Sequence, residues 1–165
     1  IKPVRAPNVY RRSLYTFWKR TAPAPVMMAF DSSKRDVCAV RRERTDSPSQ
    51  TLVLLNGPQF VEAARATAYK LIKKFGKEKN EELIIHAFRL FTSRKPNDQE
   101  LKILIRLLNE QKKEFSDPTK AKDFITPKTL ISGEYKTTTE DPSNLAAVTT
   151  LISALMNFDE STSKR

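Results

Sequence analysis

From residue 47 onward the chain is cut into segments by helix-start signals, and this punctuation constrains its fold more than any other feature. Ser47-Pro48-Ser49-Gln50 has the form of a capping box with proline at the first helical position. Ser47 would accept a backbone N–H while the Gln50 amide reaches back. The helix so opened runs to Asn56, where Gly57 suits a left-handed C-terminal cap. Pro58 opens a second helix, 59–75, closed by Gly76, with Phe60, Ala64, Ala68, Leu71 and Phe75 recurring at spacings of three and four. Asn80 is expected to cap a third, 81–93, with Ile84, Ala87, Phe88 and Phe91 on one face. Asn97 with Glu100 opens a fourth, 98–115, striped by Leu101, Leu104, Ile105 and Leu108. The short connection between these two suits an antiparallel pair better than a DNA-reading helix-turn-helix. Asp117-Pro118 opens a short helix through Phe124, and Asp141-Pro142 caps a last one, 142–158. That last helix is apolar on nearly every side, which predicts the central buried element. Only three glycines stand against ten prolines, which favours helices over a turn-rich β sandwich. The fold class read from this pattern is all-α, a helical bundle of about five helices.

Residues 1–46 read differently. They form an irregular, Pro- and Arg-rich N-terminal arm expected to pack over the bundle, with 47–165 as helical core and 1–165 as a single domain by length. Two prolines extend residues 1–9, residues 10–20 fit a short helix or irregular turn, and Thr21–Pro25 (TAPAP) forces extension. Residues 26–46 carry no sustained period and are expected to be mostly loop, with a short strand around Val37–Arg41. The arm holds arginine doublets (Arg11-Arg12, Arg41-Arg42), Arg44, the only Trp (Trp18) and the only Cys (Cys38). Such a segment is held by side-chain contacts, because it cannot satisfy its own backbone. Arg11, Arg12, Arg41, Arg42 and Arg44 are therefore candidates for bracing against carboxylates such as Asp31, Glu43, Asp46 and Glu62, or for binding an anion or partner. Tyr10, Tyr15, Phe17, Trp18 and Phe30 could form a stacking platform, but packing of the arm onto the helices accounts for them more simply.

Several chemistries are disfavoured by inventory. His86 is the only histidine, too few for a His-rich metal site, and its place between Ile85 and Ala87 on a helix reads as a partly buried or surface histidine, because a catalytic His needs an orienting partner and a task. Cys38 beside Arg41, Arg42 and Arg44 could be an activated thiol; a small buried hydrophobe next to Val37 and Val40 is the simpler reading. No glycine-rich phosphate loop, no CxxCH haem-attachment motif and no apolar run long enough to span a membrane occurs. The net charge of +11 is concentrated toward the N-terminus, with 11 basic and 4 acidic groups in residues 1–50. Nucleic acid is nonetheless a disfavoured partner, because those basic groups sit among prolines, aromatics and acids.

The residues singled out also carry a family likeness. Tyr10 to Tyr15 (YRRSLY), Trp18-Lys19-Arg20, Phe30-Asp31, Arg42, Arg44-Thr45, Pro48, Gln50 and Leu52–Asn56 come first. Phe60–Arg65, Phe88-Arg89, Arg94-Lys95-Pro96, Glu100-Leu101, Leu155-Met156-Asn157 and Asp159-Glu160 follow in order. This pattern resembles the C-terminal domain of unknown function in large exported proteins of the planctomycete cytochrome c type. The resemblance implies a longer, extracytoplasmic parent (periplasmic or cell surface), with c-type haem in an upstream domain and no cofactor in this chain. It transfers no catalytic residue. The function expected is a non-catalytic structural or interaction module that docks on upstream domains of its own polypeptide, or on a cell-envelope or polysaccharide component. The alternative is an enzyme subdomain whose arginines complete an anion- or polysaccharide-binding active site with the preceding domain.

Overall fold

In a computed structural model, the residues described are 12–19, 21–33, 38, 40–41, 45, 47–76, 78–125 and 141–162. Among them there are eight α-helices, one turn of 3-10 helix at Ser13–Tyr15, and no strand. The helices are α1 (Pro25–Ala29), α2 (Pro48–Asn56), α3 (Pro58–Phe75), α4 (Asn80–Thr92), α5 (Asp98–Glu114), α6 (Pro118–Ile125), α7 (Pro142–Met156) and α8 (Asp159–Thr162). The all-α expectation holds, with six helices from α2 to α7 where the punctuation put them and two short ones, α1 and α8, that it did not reveal.

The core forms around α7. Its eight buried residues include Leu145, Ala146, Ala147 and Val148 in succession and then Leu151, Ile152 and Leu155, so it is covered on all sides. It packs chiefly on α3, α5 and α6, with smaller contacts to α2, α4 and α8. Both partners of the α3–α7 pair bury small residues: Ala64 and Ala68 of α3 and Ala146 and Ala147 of α7 are all essentially inaccessible. Asp141 accepts the Asn144 N–H at 3.1 Å and starts α7 as expected. Arg65, buried in α3, donates to the carbonyl of Ile125 at 2.7 Å and ties the end of α6 to the core.

The helix ends show where local signals were overridden. Asn97 and Glu100 close a full capping box, with Glu100 N–H to Asn97 Oδ1 at 2.8 Å and Asn97 N–H to Glu100 Oε2 at 2.7 Å. Ser47 and Gln50 do not: Ser47 makes no side-chain cap bond, and the Gln50 amide turns to Thr45 instead. Gly57 is extended (φ −65°, ψ 122°), not left-handed, and serves as the joint from which α2 ends and α3 begins. Glycine is required there for space, since a Cβ would lie 2.5 Å from the carbonyl oxygen of Val53. Gly76 does take positive φ (76°). Asn80 lies within α4 and accepts from Lys112 Nζ of α5 at 3.0 Å, so its amide joins two helices rather than capping one.

The arm also departs from expectation. Residues 26–46 contain α1, which starts with Pro25 at its first position and buries Met27. The described part of the expected strand, Cys38 and Val40–Arg41, is not β structure, and Val37 and Ala39 lie outside the described residues. Cys38 is exposed, not a buried hydrophobe. Tyr15 (71%) and Phe17 (83%) are exposed rather than packed on the helices, and Trp18 is half-buried. Phe30 alone among the described aromatics of the arm makes a ring contact, to Phe60 of α3 at 6.2 Å.

Candidate functional site

Two polar assemblies stand on either side of a cleft between α2 and the α7–α8 corner. The first is a relay running from the arm into α2. Asp31 holds a left-handed backbone conformation (φ 50°), tolerated by Asp better than by most residues. Its Oδ2 accepts both the Thr45 hydroxyl, at 2.7 Å, and the Thr45 N–H, at 2.8 Å. These bonds, the hydroxyl first, hold the Asp31 carboxyl below its ordinary range. Thr45 Oγ1 in turn accepts from Gln50 Nε2 at 3.2 Å. Because the Thr45 proton is spent on an ionised carboxylate, its oxygen can only accept, which fixes the orientation of the Gln50 amide. Gln50 Oε1 is thereby left facing away, with no partner among the described residues.

The second assembly is a clamp. Arg94, in the α4–α5 connection, forks onto Glu100 at 2.6 and 2.8 Å and onto Glu160 of α8 at 2.8 and 3.0 Å. Its guanidinium carbon lies 4.9 Å above the ring of buried Phe88, which also meets Phe158 at 5.8 Å. The Arg94 bonds, foremost among several causes, pull the Glu100 carboxyl down to about 2 against the opposing effect of burial. Glu100 thus serves two purposes, closing the cap of α5 and pairing Arg94. The clamp fixes α8, and α8 supplies the far wall of the cleft.

The cleft is about 150 Å³ and is lined by Phe30, Gln50, Thr51 and Leu54 on one side and by Asn157, Asp159 and Thr162 on the other. Asn157 Nδ2 donates to the Ser153 carbonyl at 3.1 Å, and its Oδ1 is buried with no partner. None of the lining residues is basic.

The arginine candidates sit elsewhere. Arg12 and Arg41 are exposed and line no part of the cleft, while Arg11, Arg42 and Arg44 lie outside the described residues. Of the carboxylates, Asp31 bonds Thr45, Glu62 is buried in α3, and Glu43 and Asp46 are outside the described residues. Trp18 lies half-buried in the arm, beside the exposed Leu14 (72%), Tyr15 and Phe17. His86 has Lys74 Nζ 3.5 Å from its Nε2 and the Phe75 ring 5.2 Å away. Among the described residues no three or more His, Cys, Asp or Glu are grouped as a metal would need, and no helix is long and apolar enough to cross a membrane.

Sequence reasoning singled out Asp31 but missed Thr45 and Gln50 as its followers, and it did not connect Arg94 to Glu160. A Phe-Asp pair followed at a distance by Thr and Gln carries no periodic signal. The Arg94–Glu160 pairing joins residues 66 apart, beyond any local rule.

No curated protein and no solved structure matches the chain. A family model described as PSD1, protein of unknown function (DUF1553), matches residues 2–108, which takes in nearly all of the arm, the relay, the Arg94–Glu100 half of the clamp, helices α1 to α4 and most of α5. The chain belongs to this PSD1 family of unknown function.

Proposed function

We propose that this domain is a non-catalytic docking module of a larger exported polypeptide, binding a segment that precedes it in the same chain. The observation that carries the reading is the exposed apolar run Leu14, Tyr15 and Phe17, set beside half-buried Trp18. Clustered exposed apolar side chains of this size mark interaction surfaces on soluble proteins. Covering each would contribute about 1.5–3 kcal/mol. The likeness to planctomycete-type cytochrome c proteins supports an upstream partner segment, an extracytoplasmic setting and a haem domain elsewhere in the parent. Co-purification of the upstream segment with this domain tests the reading. The combined substitution Leu14→Ser, Tyr15→Ser and Phe17→Ser is expected to abolish association without lowering the Tm, because none of the three is in the core. Association that survives the triple change removes the run as the docking element.

A second reading has one observation in its favour. Arg12 and Arg41 are both exposed, which supports their use on an anion held by a neighbouring domain. In that reading the domain completes an active site in trans. Arg12→Ala and Arg41→Ala would then lower activity of the assembled polypeptide while leaving docking intact.

A further inference from the structure

The cleft between α2 and the α7–α8 corner has chemistry of its own, separate from the docking run. Its two amides are oriented by obligatory bonds. Gln50 Nε2 is committed to Thr45, and Asn157 Nδ2 to the Ser153 carbonyl. Gln50 Oε1 is therefore turned away from its committed partner and has no other among the described residues, whereas Asn157 Oδ1 is buried out of a ligand's reach. Thr162 Oγ1 donates to the Asp159 carbonyl at 3.1 Å, so it too has accepting capacity left. The cleft accordingly offers Gln50 Oε1 and Thr162 Oγ1 as acceptors, and the missing complement is a ligand with O–H or N–H donors.

Charge narrows the choice. The absence of basic residues from the lining disfavours an anion. Asp159, the one acid of the lining, is already engaged in an interaction, and with the chain's net charge of +11 this disfavours concentrating a cation. Phe30, 39% exposed at the rim, offers a ring to a C–H face. The volume of 150 Å³ equals about five water volumes, room for one edge of a single sugar ring whose remainder stays in solvent, and too little for an extended ligand.

We propose that this cleft binds one ring of a neutral polyhydroxylated ligand, a hexose or a hexose unit of a glycan. Phe30 stacks on the sugar's apolar face, and Gln50 Oε1 accepts one of its hydroxyls. Asp31 and Thr45 act as positioning residues by fixing the Gln50 amide.

The test is an amide-resolved NMR titration of the full chain with glucose, galactose and N-acetylglucosamine, with calcium chloride and sodium acetate as separate arms. Dissociation constants of about 1–10 mM are expected for a single ring. Shifts should be confined to Phe30, Gln50, Thr51, Asn157 and Thr162. Gln50→Met should weaken sugar binding about tenfold at unchanged Tm, and Phe30→Leu should weaken it similarly. The triple substitution in the Leu14–Phe17 run should leave sugar binding intact, so failure of docking and failure of the sugar site remain distinct results. No shift at the cleft with any sugar, a shift with calcium or acetate alone, or unchanged affinity in Gln50→Met would each overturn the proposal.

Discussion

The two walls of the cleft are each anchored by a carboxylate, but by opposite means. On the α8 side, Arg94 holds two carboxylates through four charge-assisted bonds over an aromatic floor. On the α2 side, Asp31 holds one hydroxyl, which holds one amide. A forked ion pair fixes a backbone element and uses up the donors it brings. A hydroxyl relay consumes little and passes orientation along, ending in an oxygen that is still available. The clamp is built to stay shut; the relay is built to present something.

This contrast can be attacked from either side. The largest effect is expected from Phe88→Ala, which removes the floor of the clamp from the core. A loss of about 3–5 kcal/mol in denaturant unfolding is the expected cost, and a loss below about 1 kcal/mol would mean that the clamp does not rest on the core. Gly57→Ala strikes the other wall at its base by forcing a Cβ against the Val53 carbonyl. About 1–3 kcal/mol of destabilisation is expected, together with shifts in the amide resonances of α2 while those of α8 stay in place.

Arg94→Met keeps an apolar stem over Phe88 while deleting the fork. It should lower the Tm less than Phe88→Ala and should loosen α8, seen as faster amide exchange at Ser161 and Thr162. The clamp also predicts a pH signature. Folded Glu100 titrates at about 2, below its ordinary value of 4.5. Its contribution is therefore fully present above 4.5 and lost as pH falls toward 2. Stability measured between pH 6 and pH 2 should drop across that window, and Glu100→Gln should flatten the drop. The smallest effect on stability is expected from Asp31→Asn, since Asn also tolerates positive φ. Its mark should instead be a freed Gln50 side-chain amide with averaged resonances. An unchanged Gln50 amide would show that the relay does not fix it.

Two identical motifs illustrate how far such features could be read in advance. Asn97-x-x-Glu100 and Ser47-x-x-Gln50 present the same capping pattern, and only the first closes. Glu100 is pre-aimed by Arg94, whereas Gln50 is drawn to Thr45, two residues upstream of the cap. Competition from a residue just outside the motif decided the outcome, and nothing inside the motif carried that information. The long helices were legible because their apolar stripes and Asp, Asn and Pro starts are local, and α7 announced its burial through its composition. The short helix α1 was not, because its Pro25 reads equally as a chain extender and as a first helical position. Neither wall of the cleft was legible as a wall, since each depends on partners brought together by the packing of α7.

That packing has a consequence for how the chain comes to be folded. The most extensive interface joins residues 58–75 to residues 142–156, so the apolar stripe of α3 waits for the second-last helix before it is covered. Until then that interface stays open, and its contacts join residues far apart in the sequence. Nonlocal closure of this kind slows folding and leaves early chains adhesive. During synthesis the most extensive interface of the domain closes late, when α7 arrives.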